Sequence, residues 1–178
     1  MLARSLKKVW GTMTKTTLVF NAGSSSLKFE LLAADESTLA KGTIGRIGST
    51  TAPGGKATEP TPDHKTALQR ALADIDGTMP ANWRDDVVAV GHRVVHGGPN
   101  LFEPTVVDDA SIAELERVVD LAPLHNKPSL AVIRAARELL PDVPHVMVFD
   151  TSFHHDMPLV AQTYALPRAI VERWKIRR

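Results

Sequence analysis

The chain is 178 residues long, room for one domain or slightly more, and its 43% hydrophobic and 23% charged residues exclude a multidomain assembly, a fibre and a mainly disordered chain. Its 21 Lys and Arg stand against 20 Asp and Glu, a net charge of +1 without the basic excess of a nucleic-acid binder. It has no cysteine, which excludes a disulfide framework, a thiol nucleophile and a thiolate zinc centre and suits a reducing cytoplasm; nor does any apolar run approach the ~18 residues of a membrane helix.

The N-terminal segment carries Arg4, Lys7, Lys8 and Lys15 but lacks the apolar stretch of roughly 7–15 residues that a secretory signal needs. Met13 stands directly before the first strand-like run. Residues 1–13 therefore read as a leader or a mis-assigned start, with a short mitochondrial presequence as the competing reading.

Leu18, Val19 and Phe20 form an apolar run, and Leu27, Phe29 and Leu31 alternate with Lys28 and Glu30, so two strands flank the turn Asn21–Ser26. A third strand is expected through Leu39–Ile47, ahead of a Gly-, Pro- and Thr-rich loop over Ser49–Pro62. Leu68, Leu72 and Ile75 recur at helical spacing. Val87–Val90 predicts a short buried strand leading into the glycine-rich stretch Gly91–Gly98. Ser111 and Glu114 are spaced as a capping box for a helix carrying Ile112, Leu115 and Val119 and ending near Ala122-Pro123. A second helix is expected from about Pro128, with Leu130, Ile133 and Leu140 on its apolar face and Pro141 as its stop. Val146–Phe149 predicts a last buried strand, whose carboxyl end delivers Asp150.

A hairpin followed by helices alternating with short apolar strands describes an α/β domain with a mixed sheet flanked by helices. Ligands of such sheets gather at strand carboxyl ends. Three polar clusters fall there: Asn21–Ser26, His92–Gly98 and Asp150–His154. The first offers backbone N–H groups and serine hydroxyls suited to phosphate oxygens, with Lys28 as a nearby cation, although Gly and Ser also make ordinary hairpin turns. In the second, Arg93 is a guanidinium fork for a carboxylate or phosphate, or half of a structural ion pair. His92 and His96 have the spacing of a helical metal pair, but Gly91, Val94, Val95 and the Gly97-Gly98-Pro99 run disfavour a helix. Asp150 suits Mg²⁺ or water positioning, or a cap. His125 is either a donor to a phosphoryl oxygen or, with Asn126, a helix cap. His154 and His155 read as surface residues, and His64 and His145 carry no signal.

In order and spacing, Val19–Lys28, Gly91–Gly98, Ala122–Asn126 and Val148–His154 resemble the N-terminal half of the acetate kinase family, and the resemblance runs over residues 14–178. It implies the ATPase fold shared by actin, sugar kinases and heat-shock chaperones, with residues 14–164 as the N-terminal acetokinase domain and 165–178 as the beginning of a second, mostly missing domain. It implies reversible, ATP-dependent phosphorylation of acetate to acetyl phosphate in the cytoplasm, with Mg²⁺ and ATP required, neither nucleic acid nor membrane as partner, and a homodimer for the full-length family. Propionate or butyrate kinase and a non-catalytic remnant are the alternatives.

Carried over by residue, the resemblance implies that Asn21 places Mg²⁺ and the phosphates, with Ser24, Ser26 and Lys28 shaping that loop. Arg93 binds the acetate carboxylate and the transferring phosphoryl, Val95 and Leu124 line the methyl pocket, His125 bonds to the transition state and Asp150 acts through Mg²⁺. Family members continue past the point that matches Arg178, where they supply adenosine contacts, a second arginine, a histidine and a glutamate. The chain is therefore expected to be a truncated N-terminal portion, inactive alone.

Overall fold

Side-chain alternation builds the first half of the sheet. Leu18, Phe20 and Ala22 of β1 (Thr16–Ala22) pair in antiparallel register with Leu31, Phe29 and Leu27 of β2 (Ser26–Ala33), and all six side chains are buried on one face. A computed structural model of the chain describes residues 15–49, 61–174 and 176–177. The expected leader and most of the expected Ser49–Pro62 loop lie outside these residues.

After β2 come β3 (Thr38–Gly45), α1 (His64–Asp76), β4 (Val87–Val94), β5 (Thr105–Val106), α2 (Asp109–Arg117), α3 (Pro123–Leu139), β6 (His145–Phe149), and the short helices α4 (Leu159–Gln162) and α5 (Arg168–Trp174). Among the described residues six strands form one sheet in the order β3-β2-β1-β4-β6-β5. Its centre, β1-β4-β6, is parallel, and both edges are antiparallel. Three parallel neighbours end on the same edge of the sheet, so the clusters that follow β1, β4 and β6 are brought together by topology alone.

Helices α1, α2 and α3 cover one face. Ala67, Leu68, Ala71, Leu72 and Ile75 of α1 and Val132, Ala135 and Ala136 of α3 pack on Leu18, Phe20 and Val90. Ile112 and Leu115 of α2 join Leu130 and Ile133 of α3 on Val94, Met147 and Phe149 in a second cluster. On the opposite face Val148 is about half exposed. The site residues Asn21 and Arg93 belong to that open side, because they fall between the buried positions of β1 and β4.

Several boundaries differ from the sequence reading. The capping box of α2 sits three residues earlier than expected: Asp108 accepts from Ser111 N–H at 2.7 Å and Ser111 Oγ accepts from Asp108 N–H at 2.9 Å. Ser111 is thus the reciprocal partner and not the cap, while Glu114 accepts from Asn100 and Arg117 instead. The helix ends at Arg117, and Val119 falls in a 3₁₀ turn, Val119–Leu121. α3 starts at Pro123 and not at Pro128, because proline's fixed φ serves the first helical position equally well there. Pro128 then lies inside the helix, leaving the Leu124 carbonyl without its usual amide donor. The antiparallel strand β5 was not expected; two residues are too few to show a period.

Candidate active site

Asn21 and Arg93 are direct neighbours across β1 and β4, and Asn21 faces Lys28 across β1 and β2. One cross-strand row therefore reads Lys28, Asn21, Arg93, two cations around an amide, at the edge where the parallel strands end. Val148 continues the row beside Arg93. Asp150 follows two residues later, opening a 3₁₀ turn, Asp150–His154.

The Arg93 guanidinium grips the Asp150 carboxylate with two bonds, Nε to Oδ1 at 2.9 Å and Nη2 to Oδ2 at 2.7 Å, and its Nη1 donates to Asn21 Oδ1 at 3.2 Å. This pairing holds the Arg93 pKa above its ordinary value, against a smaller opposing effect of burial. Both readings of Arg93 made from sequence are compatible with this geometry. A guanidinium has five N–H donors; Asp150 takes the two on its side edge and Asn21 one more, so two donors on the terminal nitrogens are left for an incoming anion.

Beside this triad lies a cleft of about 190 Å³ lined by Asn21, Ala22, Gly23, Ser26, Lys28, Arg93, Val95 and His125. That is smaller than the roughly 300–1,000 Å³ of sites for drug-sized ligands and suits a small anion or a phosphoryl group. A larger, open depression elsewhere is lined by Asp109, Arg134, Arg137 and Glu138, whose charges are already paired with one another or with Glu116 and Lys65. The smaller cleft holds six of the expected site residues: Asn21, Ser26, Lys28, Arg93, Val95 and His125. Asp150 joins through Arg93. Ser24 is exposed and Leu124 is 70% exposed, and neither lines the cleft.

His125 is in the first turn of α3, and its orientation depends on its neighbour. Asn126 is fully buried and ties α3 to the chain just after β4, donating from Nδ2 to the His96 carbonyl at 2.8 Å and accepting from His96 N–H at 3.3 Å. Ser129 Oγ reinforces the junction by donating to the Arg93 and His125 carbonyls. Asn126 thus acts as a strand partner to His96 and places His125 in the cleft lining with Arg93 and Val95. The turn after His96 is closed by Gly97 and Gly98: a Cβ on Gly97 would lie 1.7 Å from the Leu101 carbonyl oxygen, and Gly98 has φ +67°. His96 Nδ1 accepts from Gly98 N–H at 2.9 Å, and burial lowers the His96 pKa. His92 turns away from the cleft into the core. It forms no pair with His96; its partner is His145.

Among the described residues no group of three or more His, Cys, Asp or Glu is arranged to hold a metal ion. Asp150 and Asn21 Oδ1 nevertheless fit Mg²⁺, a hard cation that takes one or two carboxylates and completes its shell with water and substrate phosphates.

A mixed sheet whose parallel strands deliver a Gly-Ser turn, an arginine and an aspartate to one edge makes this the N-terminal domain of an actin-like ATPase fold, as expected from sequence. The chain belongs to the acetokinase family, whose profile matches residues 16–178. It is 45% identical over 170 residues to the acetate kinase of Leifsonia xyli, an alignment covering 90% of this chain and 43% of that protein. The crystal structure of Porphyromonas gingivalis acetate kinase matches with a TM-score of 0.82 at 33% identity, over 92% of this chain and 44% of that one. A propionate kinase from Francisella tularensis matches with a TM-score of 0.80 at 29% identity, again over 92% and 44%. The chain therefore spans less than half the length of each of these relatives.

Proposed function

We propose that this chain supplies the acceptor half of a carboxylate kinase that moves the γ-phosphoryl group of ATP to acetate, reversibly, giving acetyl phosphate. The observation that carries this reading is the Lys28-Asn21-Arg93 row beside a small cleft, with Asp150 holding the guanidinium in a fixed plane. A carboxylate is already ionised at neutral pH, so its attack on phosphorus needs no general base, and the protein's work is positioning and charge neutralisation.

In this assignment the open donors of Arg93 take the acetate carboxylate and the transferring phosphoryl oxygens. Lys28 adds charge, and His125 donates a hydrogen bond to the oxygens as charge develops. Val95 is the apolar wall for the acetate methyl; Leu124 reaches the pocket only by moving from its exposed position. Asn21 and Asp150 would hold Mg²⁺ with the phosphates, while Ser24 and Ser26 complete the loop around them. Mg²⁺ supplies charge neutralisation on the β- and γ-phosphate oxygens when bound. The likeness to a propionate kinase supports a second acceptor, because one methylene in an apolar pocket changes selectivity by only ~1–3 kcal/mol.

The chain alone is expected to give no measurable turnover. Loss of one arginine finger in phosphoryl-transfer enzymes costs on the order of 10³–10⁵ in rate, and this chain spans less than half of its relatives. The test is acyl phosphate formation, trapped as the hydroxamate, from ATP, Mg²⁺ and acetate or propionate. It is run with the chain alone and with the C-terminal part of the Leifsonia relative added in trans. Acyl phosphate only in the complemented mixture supports the reading. Phosphorylation of a hydroxyl acceptor instead, or no product from a complex shown to assemble, overturns it.

A further inference from the structure

We propose that His64, which lies outside every motif, is a positioning residue that sets the orientation of the anion-binding turn Asn21–Ser26; the inference deepens the reading of that turn as a phosphate contact and rests on it. His64 is the first residue of α1, and its Nε2 lies 2.8 Å from the Gly23 carbonyl oxygen, across 41 residues of sequence. A carbonyl can only accept, so Nε2 carries the proton and donates. Besides the strand pairings of Asn21, Ala22 and Ser26 and the Arg93 bond to Asn21, the turn is tied among the described residues by Gly23 N–H to the Ser26 carbonyl at 2.8 Å and Ile47 N–H to the Ser25 carbonyl at 3.1 Å. None of these touches the Gly23–Ser24 peptide group.

That peptide group is the one at risk of flipping. Gly23 has no Cβ to restrict its backbone torsions, and the place a Cβ would take has nothing closer than 3.4 Å, so the bond from His64 is what directs this carbonyl. The peptide is trans and planar, so drawing the carbonyl towards α1 turns the Ser24 N–H to the opposite side. His64 can impose this because its own position is rigid. Asp63 caps α1 by accepting from Thr66 N–H at 2.7 Å, and Ala67, Leu68 and Ala71 of the next turns are buried in the core. One imidazole therefore couples the turn to the helix layer and presents the Ser24 N–H in a single direction, as an anion site built from backbone donors requires.

The experiment compares His64→Ala and His64→Gln with the parent 178-residue chain; Gln keeps a donor of similar reach. Backbone ¹⁵N relaxation reads the Ser24 N–H, calorimetry reads binding of Mg²⁺-tripolyphosphate, and thermal melting controls for the fold. The Ser24 order parameter is expected to be near 0.85 in the parent and in His64→Gln and to fall below about 0.6 in His64→Ala. Tripolyphosphate affinity should fall roughly three- to tenfold in His64→Ala, the scale of one neutral hydrogen bond, and recover in His64→Gln with melting unchanged. An unchanged order parameter at Ser24 in His64→Ala overturns the inference, as does loss in both variants alike. If the parent binds no tripolyphosphate, the phosphate reading of the turn falls, and the Ser24 order parameter still decides whether His64 orients it.

Discussion

His92 on β4 and His145 at the start of β6 face one another inside the core, Nε2 to Nδ1 at 3.0 Å, with their rings stacked. His145 Nε2 lies 3.0 Å from the Leu140 carbonyl and must donate to it, so its Nδ1 is the acceptor and His92 Nε2 the donor. Both rings are thereby fixed as neutral tautomers. Burial, with a smaller contribution from His145, pushes the His92 pKa down to about 3, and burial is also the main cause of the lowered pKa of His145.

The consequence is an acid-labile fold. The unfolded chain takes up protons on these histidines from about pH 6.5 downwards, and the folded chain does not take one on His92 until near pH 3, so the stability they confer is complete above that window and is lost as pH falls through it. The loss is on the order of a few kcal/mol. Urea denaturation between pH 8 and pH 5 should show a declining free energy whose slope is flatter in His92→Gln. Superimposable slopes would rule out the pair as its source.

Arg93 should tolerate no substitution that keeps only its charge. Lysine cannot reproduce two parallel bonds to Asp150 while leaving terminal donors open, so Arg93→Lys is expected to weaken acetyl phosphate binding nearly as much as Arg93→Ala. Melting should change little in either, because the pair is about half exposed and such pairs contribute roughly 0–1 kcal/mol. Near-native binding by Arg93→Lys, measured calorimetrically, would contradict the fork.

How far the sequence announced this arrangement depends on the kind of signal involved. The hairpin, α1 and the strand preceding Asp150 were legible because apolar residues recur with the period of one covered face, as in Leu18, Phe20, Leu27, Phe29 and Leu31. The convergence of Asn21, Arg93 and Asp150 followed from topology, since all three close parallel neighbours. Pairings that depend on tertiary position were not legible: His64 with Gly23, His92 with His145 and Asn126 with His96 join residues 30 to 53 positions apart, and no local pattern marks them. Pro123 and Pro128 carry the same N-terminal signal, so the sequence alone does not place the start of α3. Asp108 and Ser111 are equally good caps by residue type, and only the fold shows that Asp108 takes the position.

Asp150→Asn preserves shape and removes charge. If the carboxylate serves Mg²⁺, tripolyphosphate binding by this variant should lose most of its Mg²⁺ dependence, while stability shifts by no more than about 1 kcal/mol given the half-exposed pairing with Arg93. A large drop in melting temperature with unaltered Mg²⁺ dependence would make Asp150 a structural residue. The readout is a Mg²⁺ titration at fixed tripolyphosphate.

Gly97→Ala tests the turn that separates Arg93 from α2. The added methyl would overlap the backbone carbonyl of Leu101 and come within 2.9 Å of the Phe149 ring, so backbone has to move. Overpacking of this kind costs ~1–3 kcal/mol, visible as a lower urea midpoint, and it should displace Val95 and His96. A wild-type midpoint would mean that the turn relaxes freely.

Beyond β6 the chain exposes large apolar side chains. Phe153, Leu159, Val160 and Trp174 are 88%, 78%, 87% and 66% exposed, and all lie within the final stretch of 26 residues that includes α4 and α5. Monomeric proteins rarely leave apolar patches larger than a few hundred Å² in water, because burying apolar surface gains roughly 25 cal/mol per Å². The 178-residue chain should therefore self-associate at micromolar concentrations, with a sedimentation coefficient that rises on concentration. Leu159→Glu with Val160→Glu should suppress this without lowering the melting temperature, since neither side chain contributes to either core cluster. If the double variant associates as strongly as the parent, the contact lies elsewhere, and the open sheet face around the half-exposed Val148 is the next surface to substitute.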